Sequence, residues 1–222
     1  GKLAYLLNSY PMTSTTFIRR EMAAIEALGQ PIARFAIRQW DTALVDPLDI
    51  AEQRQTDYIL TGGKTALLRD ASIALIRHCG RILALLALWW RIWRNARGQF
   101  VQHVAYLIEA MAFRTRARRA GIDHVHVHFS TNAATVALLA HRLGGPSYSF
   151  TVHGPDELID PPALSLALKV RDAAFVVAIT NYCRGRILAE APQASAKVKV
   201  VRCGIDLDDL PFAGEAPASG RI

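Results

Sequence analysis

Residues 3–7 form an apolar run that stops at Asn8-Ser9-Tyr10-Pro11. A short apolar run closed by proline predicts a buried strand opening into a polar loop. Ile18, Met22 and Ile25 follow at i, i+4 and i+7. That spacing predicts a helix, with Thr13 or Ser14 as its cap and Gly29 closing it in a left-handed conformation. Residues 31–37 read as a second strand and 56–60 as a weaker third. The polar stretch between them, with Asp41, Asp46, Pro47 and Asp49, is expected to be a long loop. Residues 65–94 and 99–119 then read as two long helices broken at 95–98, the first carrying a stripe of Ile82, Leu86, Trp90 and Trp93. After Gly121 short apolar strands (124–128, 147–152, 174–179, 197–201) alternate with helices (131–143, near 164–171, 181–190).

Strands alternating with helices imply right-handed crossovers and a mostly parallel sheet with helices on both faces. The fold expected is therefore α/β and Rossmann-like, over residues 1–210, with a helical pair inserted at about 64–120. From Pro211 the composition turns to that of a linker, with Gly214, Pro217 and Gly220. The apolar run 82–90 is nine residues long, about half of the roughly 20 needed to span a bilayer.

Composition narrows the partner but does not choose it. A hydrophobic fraction of 51% with 20% charged residues is that of a globular chain rather than a disordered one. The net charge of +7 favours an anionic partner: nucleic acid, a phospholipid surface or a phosphorylated substrate. Cys79, Cys183 and Cys203 are odd in number and lack zinc-ligand spacing, which fits a reducing compartment. No secretory leader precedes the first strand, so a cytoplasmic location is expected.

The candidate chemistry lies in two histidine segments, His126-Val127-His128-Phe129 and Thr151-Val152-His153-Gly154-Pro155-Asp156. Each puts histidine where a buried strand opens into a loop, and in open parallel sheets ligands gather outside the carboxyl ends of the strands. His124, His126 and His128 alternate, so they share one face, but no fourth ligand stands at convincing spacing and no metal is expected. Packing or hydrogen bonding is the expected role of His124 and His126, with His128 nearer the cleft. His153 is the leading candidate; Gly154 would let a ligand approach the backbone, while Asp156 supplies an acceptor or caps the next turn. Thr61-Gly62-Gly63-Lys64-Thr65 fails as a phosphate loop because Tyr58 stands where its first glycine belongs, and no GxGxxG follows a strand.

These residues resemble a family. Ser9-Tyr10-Pro11, Ser14-Thr15-Thr16-Phe17-Ile18, Glu21, the two histidine segments and Cys203-Gly204-Ile205-Asp206, in that order, look like the N-terminal half of family-4 retaining glycosyltransferases. The branch most similar is that of colanic-acid and exopolysaccharide biosynthesis. The resemblance spans most of the chain except the helices of the insert. It implies a GT-B architecture in which this acceptor-side domain faces a donor-binding domain, absent here, joined through 211–222. It further implies a hexosyltransferase-type reaction from a nucleotide-sugar to a saccharide or lipid-linked acceptor, with no metal or other cofactor.

By this resemblance His153 would touch the transferred sugar, and Tyr10, Ser14, Thr15, Thr16, His128, Gly154, Asp156 and Gly204 would line the substrates. Where the branch usually has Ser-Glu-Thr-Phe, this chain has Thr15 in place of the glutamate, which bears on acceptor choice. The basic, tryptophan-rich insert suits either the cytoplasmic face of an anionic inner membrane or a helical pair packed on the sheet. Arg114, Arg116, Arg118 and Arg119 are its densest charge cluster, a candidate membrane or phosphate contact. The rival to the transferase is a non-catalytic docking module built on the same fold. A nucleic-acid binder ranks third, since the tryptophans follow a helical stripe rather than interleaving with basic residues.

Overall fold

The computed structural model describes residues 1–204. Its centre is a seven-stranded, wholly parallel sheet: β1 (Lys2–Ser9), β2 (Ile32–Arg38), β3 (Thr56–Tyr58), β4 (Ile122–His128), β5 (Ser147–Val152), β6 (Val176–Ala178) and β7 (Val198–Val200). The spatial order is β3-β2-β1-β4-β5-β6-β7. The direction of winding reverses between β1 and β4, which creates a crevice at their carboxyl ends. The expected α/β, Rossmann-like class is thus observed. The expected linker residues Pro211, Gly214, Pro217 and Gly220, with Ile205 and Asp206 of the last motif, lie outside the described residues.

α1 (Thr16–Ala27) follows β1 and buries Ile18 and Met22 against Tyr5, Leu7 and Ala36, and Gly29 beyond it has φ 86° as its terminating role requires. Its start differs from expectation. Neither Thr13 nor Ser14 caps it; a 3-10 turn over Thr13–Thr15 precedes it, held by Thr15 Oγ1, which donates to Met12 O at 2.9 Å and accepts from Met12 N at 3.1 Å.

The stretch expected as a loop contains a helix, α2 (Pro47–Gln55). Asp46 is its N-cap, accepting from Leu48 N at 2.8 Å, and Pro47 sits at its first turn, where a missing N–H costs nothing. Ion pairs pin it: Arg19 reaches Asp46 and Asp49 at 2.8 and 2.6 Å, and buried Arg34 on β2 holds Glu52 at 2.9 Å as well as Glu26 on α1.

The insert comprises three helices rather than two: α3 (Gly63–Arg77), α4 (Cys79–Asn95) and α5 (Phe100–Arg119), with α3 and α4 bent by 113° about His78. α4 turns inward Leu85, Trp89 and Ile92, not the expected stripe, and leaves Leu86 and Trp90 outside. No single helix among the described residues is long and apolar enough to cross a membrane.

α6 (Asn132–Arg142) is almost wholly apolar and buries every residue from Ala133 to Ala140 between α5 and strands β1, β4 and β5. α7 (Leu166–Asp172) and α8 (Asn181–Glu190) complete that layer. The described residues cover only half of the opposite face. α1 packs on β1 and β2, while His124, Ser149, Thr151, Phe175 and Val177 line an open groove beside it.

Candidate functional site

The carboxyl ends of β1, β4 and β5 converge on one set of side chains. Asn132, opening α6, donates to Asn8 Oδ1 across the winding reversal, joining the β1 and β4 sides. Directly after β4, Phe129 adopts φ 71° and donates its amide to Thr151 O at 2.9 Å. A left-handed phenylalanine costs on the order of 1 kcal/mol, and such strain collects at functional sites.

His153, the residue after β5, sits between the rings of Phe17 and Phe129, with centroids 5.0 and 4.6 Å away. Its Nε2 lies 2.8 Å from Nδ1 of buried His128, whose Nε2 is 3.3 Å from Glu21 Oε1. Tyr5 donates its hydroxyl to the same Glu21 oxygen at 2.6 Å. The result is a line from Tyr5 through Glu21 and His128 to His153. Burial, with His128 adding to it, brings the His153 pKa down to about 4, so its ring is neutral near pH 7. Burial on its own would raise Glu21, but contact with His128 and the Tyr5 hydroxyl outweighs it and holds the carboxyl at about 2.

The other two histidines form a ladder with hydroxyls of β5. His124 bridges Ser147 and Ser149 at 2.8 and 2.7 Å, and His126 bridges Ser149 and Thr151 at 2.7 and 2.9 Å. Burial brings His126 down to about 3. This is the hydrogen-bonding role expected of them. Glu21, His126 and His128 bring ligand atoms within 4.8 Å of one another. Both nitrogens of His126 are already engaged by hydroxyls, so a metal there would have to displace Ser149 or Thr151.

Two residues without an assigned role in the sequence hold the site in place. Glu157 is buried and accepts from the amides of His153, at 2.6 Å, and Ser130, tying the loop after β5 to the loop after β4. Lys169, on α7, is also buried and donates to Ser130 O and Thr131 O at 2.5 and 3.0 Å. Burial lowers its pKa to about 7 against the opposing pull of Glu157. The available signals were a glutamate four residues after His153 and a lysine inside the apolar run Leu166-Ala167-Leu168-Lys169-Val170.

The remaining expected residues divide. His128, His153 and Gly204 lie at or beside the crevice, and Ser14, Thr16 and Asp156 are at least partly open on the loops around it. Tyr10 does not present its side chain: it is fully buried, with its hydroxyl on Glu52 at 2.8 Å. Thr15 is likewise buried and spent on the Met12 backbone. Gly154 is extended rather than left-handed, and a side chain there would meet open space, so close approach does not demand glycine.

The arginine cluster is corrected more sharply. Arg114 is 2% exposed and lies against His78. Arg116 donates to Asp57 and to the Tyr58 and Ile59 carbonyls at 2.7, 2.8 and 3.0 Å, and Arg119 pairs with buried Asp70 at 2.8 Å. Only Arg118 of the four is exposed without a carboxylate partner among the described residues.

A groove of about 910 Å³ leads from Phe17, Glu21 and His153 along the open sheet face to Phe175. Its size suits a small organic ligand, and the neutral histidines and hydroxyls at its end suit hydrogen bonding to a polyhydroxylated one. Among curated proteins no sequence gives a significant match to the chain. The family model for Glycosyltransferase Family 4 matches residues 67–209, running through α3, α4 and α5, which the motif resemblance had left out. With well over half its length matched and a Rossmann-like parallel sheet beneath the match, the chain belongs to glycosyltransferase family 4.

Proposed function

We propose that this chain is the acceptor-side domain of a retaining glycosyltransferase that moves a hexose from a nucleotide-sugar to a saccharide, in the first place a lipid-linked one in bacterial exopolysaccharide assembly. A second Rossmann-like domain would supply the donor clamp, on the cytoplasmic side of the membrane. The observation that carries this reading is the placement of His153 at the carboxyl end of β5, backed by His128 and Glu21. In the reaction that the resemblance implies, the bond from the anomeric carbon to the diphosphate oxygen breaks. The acceptor oxygen takes its place on the same face, and the acceptor proton passes to the departing phosphate. No metal or other cofactor enters. A neutral imidazole at His153 is suited to hydrogen-bond the sugar hydroxyls as charge develops at the anomeric centre.

The test is turnover of UDP- and GDP-sugars by the full-length enzyme and its His153→Ala variant. A loss of about a hundredfold or more is expected for a group acting on the transition state. Transfer within about threefold of the parent, under 1 kcal/mol, would remove His153 from that role. No turnover of any donor by the parent would favour the rival, a non-catalytic docking module.

A further inference from the structure

Among the described residues, one face of α4 has no partner. Leu85, Trp89 and Ile92 point into the core, and one strip of the outer surface runs Leu83, Leu86, Trp90, Arg94. These positions are three and four residues apart, so their side chains adjoin. Leu83 is 82% exposed and Trp90 49%. Trp90 touches Trp93, which meets Phe100 at the start of α5 with centroids 5.3 Å apart, so the apolar strip continues onto Phe100 and its neighbour Val101, 81% exposed.

The charge around this strip has one sign. Between Asp70 and Glu109, both buried, the chain has no acidic residue but carries Arg77, Arg81, Arg91, Arg94 and Arg97. Among the described residues only Arg97 of these has a carboxylate partner, Asp160 at 3.6 Å. An exposed apolar strip rimmed by unpaired cations marks a contact site rather than ordinary surface. Leucine and tryptophan with flanking arginine is the composition that lies in the interface of an anionic bilayer.

We propose that α4, with the start of α5, docks flat on an anionic phospholipid membrane through Leu83, Leu86, Trp90 and Phe100, with Arg91 and Arg94 on the headgroups. The helix, about 25 Å long, lies in the plane of the surface and does not cross it. Its two ends also orient the sheet. Arg81 lies beside Gly144, before β5, whereas Asn95 donates to Ser165 and Arg97 pairs with Asp160, both on the segment after His153. The tryptophan end therefore lies toward the edge of the sheet that carries the site. Only the consequence that a membrane-borne acceptor is delivered there rests on the transferase reading.

Vesicle flotation of the chain tests the proposal without any turnover. Binding is expected to vesicles of phosphatidylcholine with phosphatidylglycerol and to fall with salt, and to be weak on phosphatidylcholine alone. Leu83→Glu with Trp90→Glu should abolish it, and Arg91→Gln with Arg94→Gln should weaken it roughly tenfold or more. All four sites are exposed, so circular dichroism should stay unchanged, which separates lost docking from lost folding. Equal flotation on both vesicle types, or variants that float like the parent, would overturn the proposal. So would a dimer in sedimentation that the Leu83→Glu, Trp90→Glu pair dissolves, since a second copy would then occupy the strip.

Discussion

His153 Nε2 stands 2.8 Å from His128 Nδ1, while the far nitrogen of His128 faces the Glu21 carboxylate. With the Glu21 carboxylate 3.3 Å from Nε2, the tautomer expected for His128 carries its hydrogen on Nε2 and accepts at Nδ1. His153 then donates from Nε2 and keeps an open lone pair at Nδ1. Nitrogen NMR of the ring-labelled chain near pH 7 should show a protonated Nε2 and an unprotonated Nδ1 for His153. Glu21→Gln removes a charge that favours imidazolium, so the His153 pKa should move down further from about 4. An unchanged value would mean that the Glu21 charge does not reach His153.

Stability should fall on the acid side through two buried histidines, against a smaller opposing gain from Glu109, whose carboxyl burial raises to about 7. His153 and His126 have folded pKa values lowered to about 4 and about 3. Their unfolded values are near 6.5, so below that the unfolded chain binds protons that the native one refuses. Each contributes a loss of up to about 1.4 kcal/mol per pH unit as pH drops through the window from 6.5 to its folded value. Urea midpoints measured from pH 7 to 4 should decline steadily, and His126→Asn should flatten the slope. Glu21, lowered to about 2, adds its own loss only between about 4.5 and 2.

Glu157→Ala leaves the amides of Ser130 and His153 without their acceptor. At about 1–3 kcal/mol for each unsatisfied donor, the unfolding free energy should drop by roughly 2–6 kcal/mol. Glu157→Gln, which keeps an acceptor oxygen, should lose clearly less in the same denaturation experiment.

The inward and outward faces of α4 can be told apart by two alanines. Leu85→Ala opens a cavity in the core and should cost about 2–5 kcal/mol. Leu83→Ala, on the exposed strip, should stay within about 0.5 kcal/mol. Similar losses at both would overturn the orientation of the helix.

Much of the sheet was legible because its strands are short apolar runs bounded by turn residues. The strand at 147–152 and the helix at 181–190 match their observed limits. α4 was read on the wrong side because apolar residues cover nearly its whole circumference, so spacing cannot say which stripe faces inward. α2 was missed since its polar residues are buried by ion pairs to Arg19 and Arg34 rather than by an apolar stripe. At the site, strand ends revealed His128 and His153, but the partners of Glu157 and Lys169 come from other elements and leave no periodic trace. Tyr10 and the arginines of α5 misled for one reason: a polar tip in the sequence looks available until its partner is seen.

The double acceptance by Glu157 and the grip of Lys169 on Ser130 and Thr131 have a mechanical meaning. The loops after β4 and β5 do not have independent degrees of freedom. A displacement of His153 is transmitted through one carboxylate to Ser130 and from there to the first turn of α6, whose Asn132 is fastened to β1. Whatever pushes on the histidine therefore pulls on three strands at once, as a key turns a bolt.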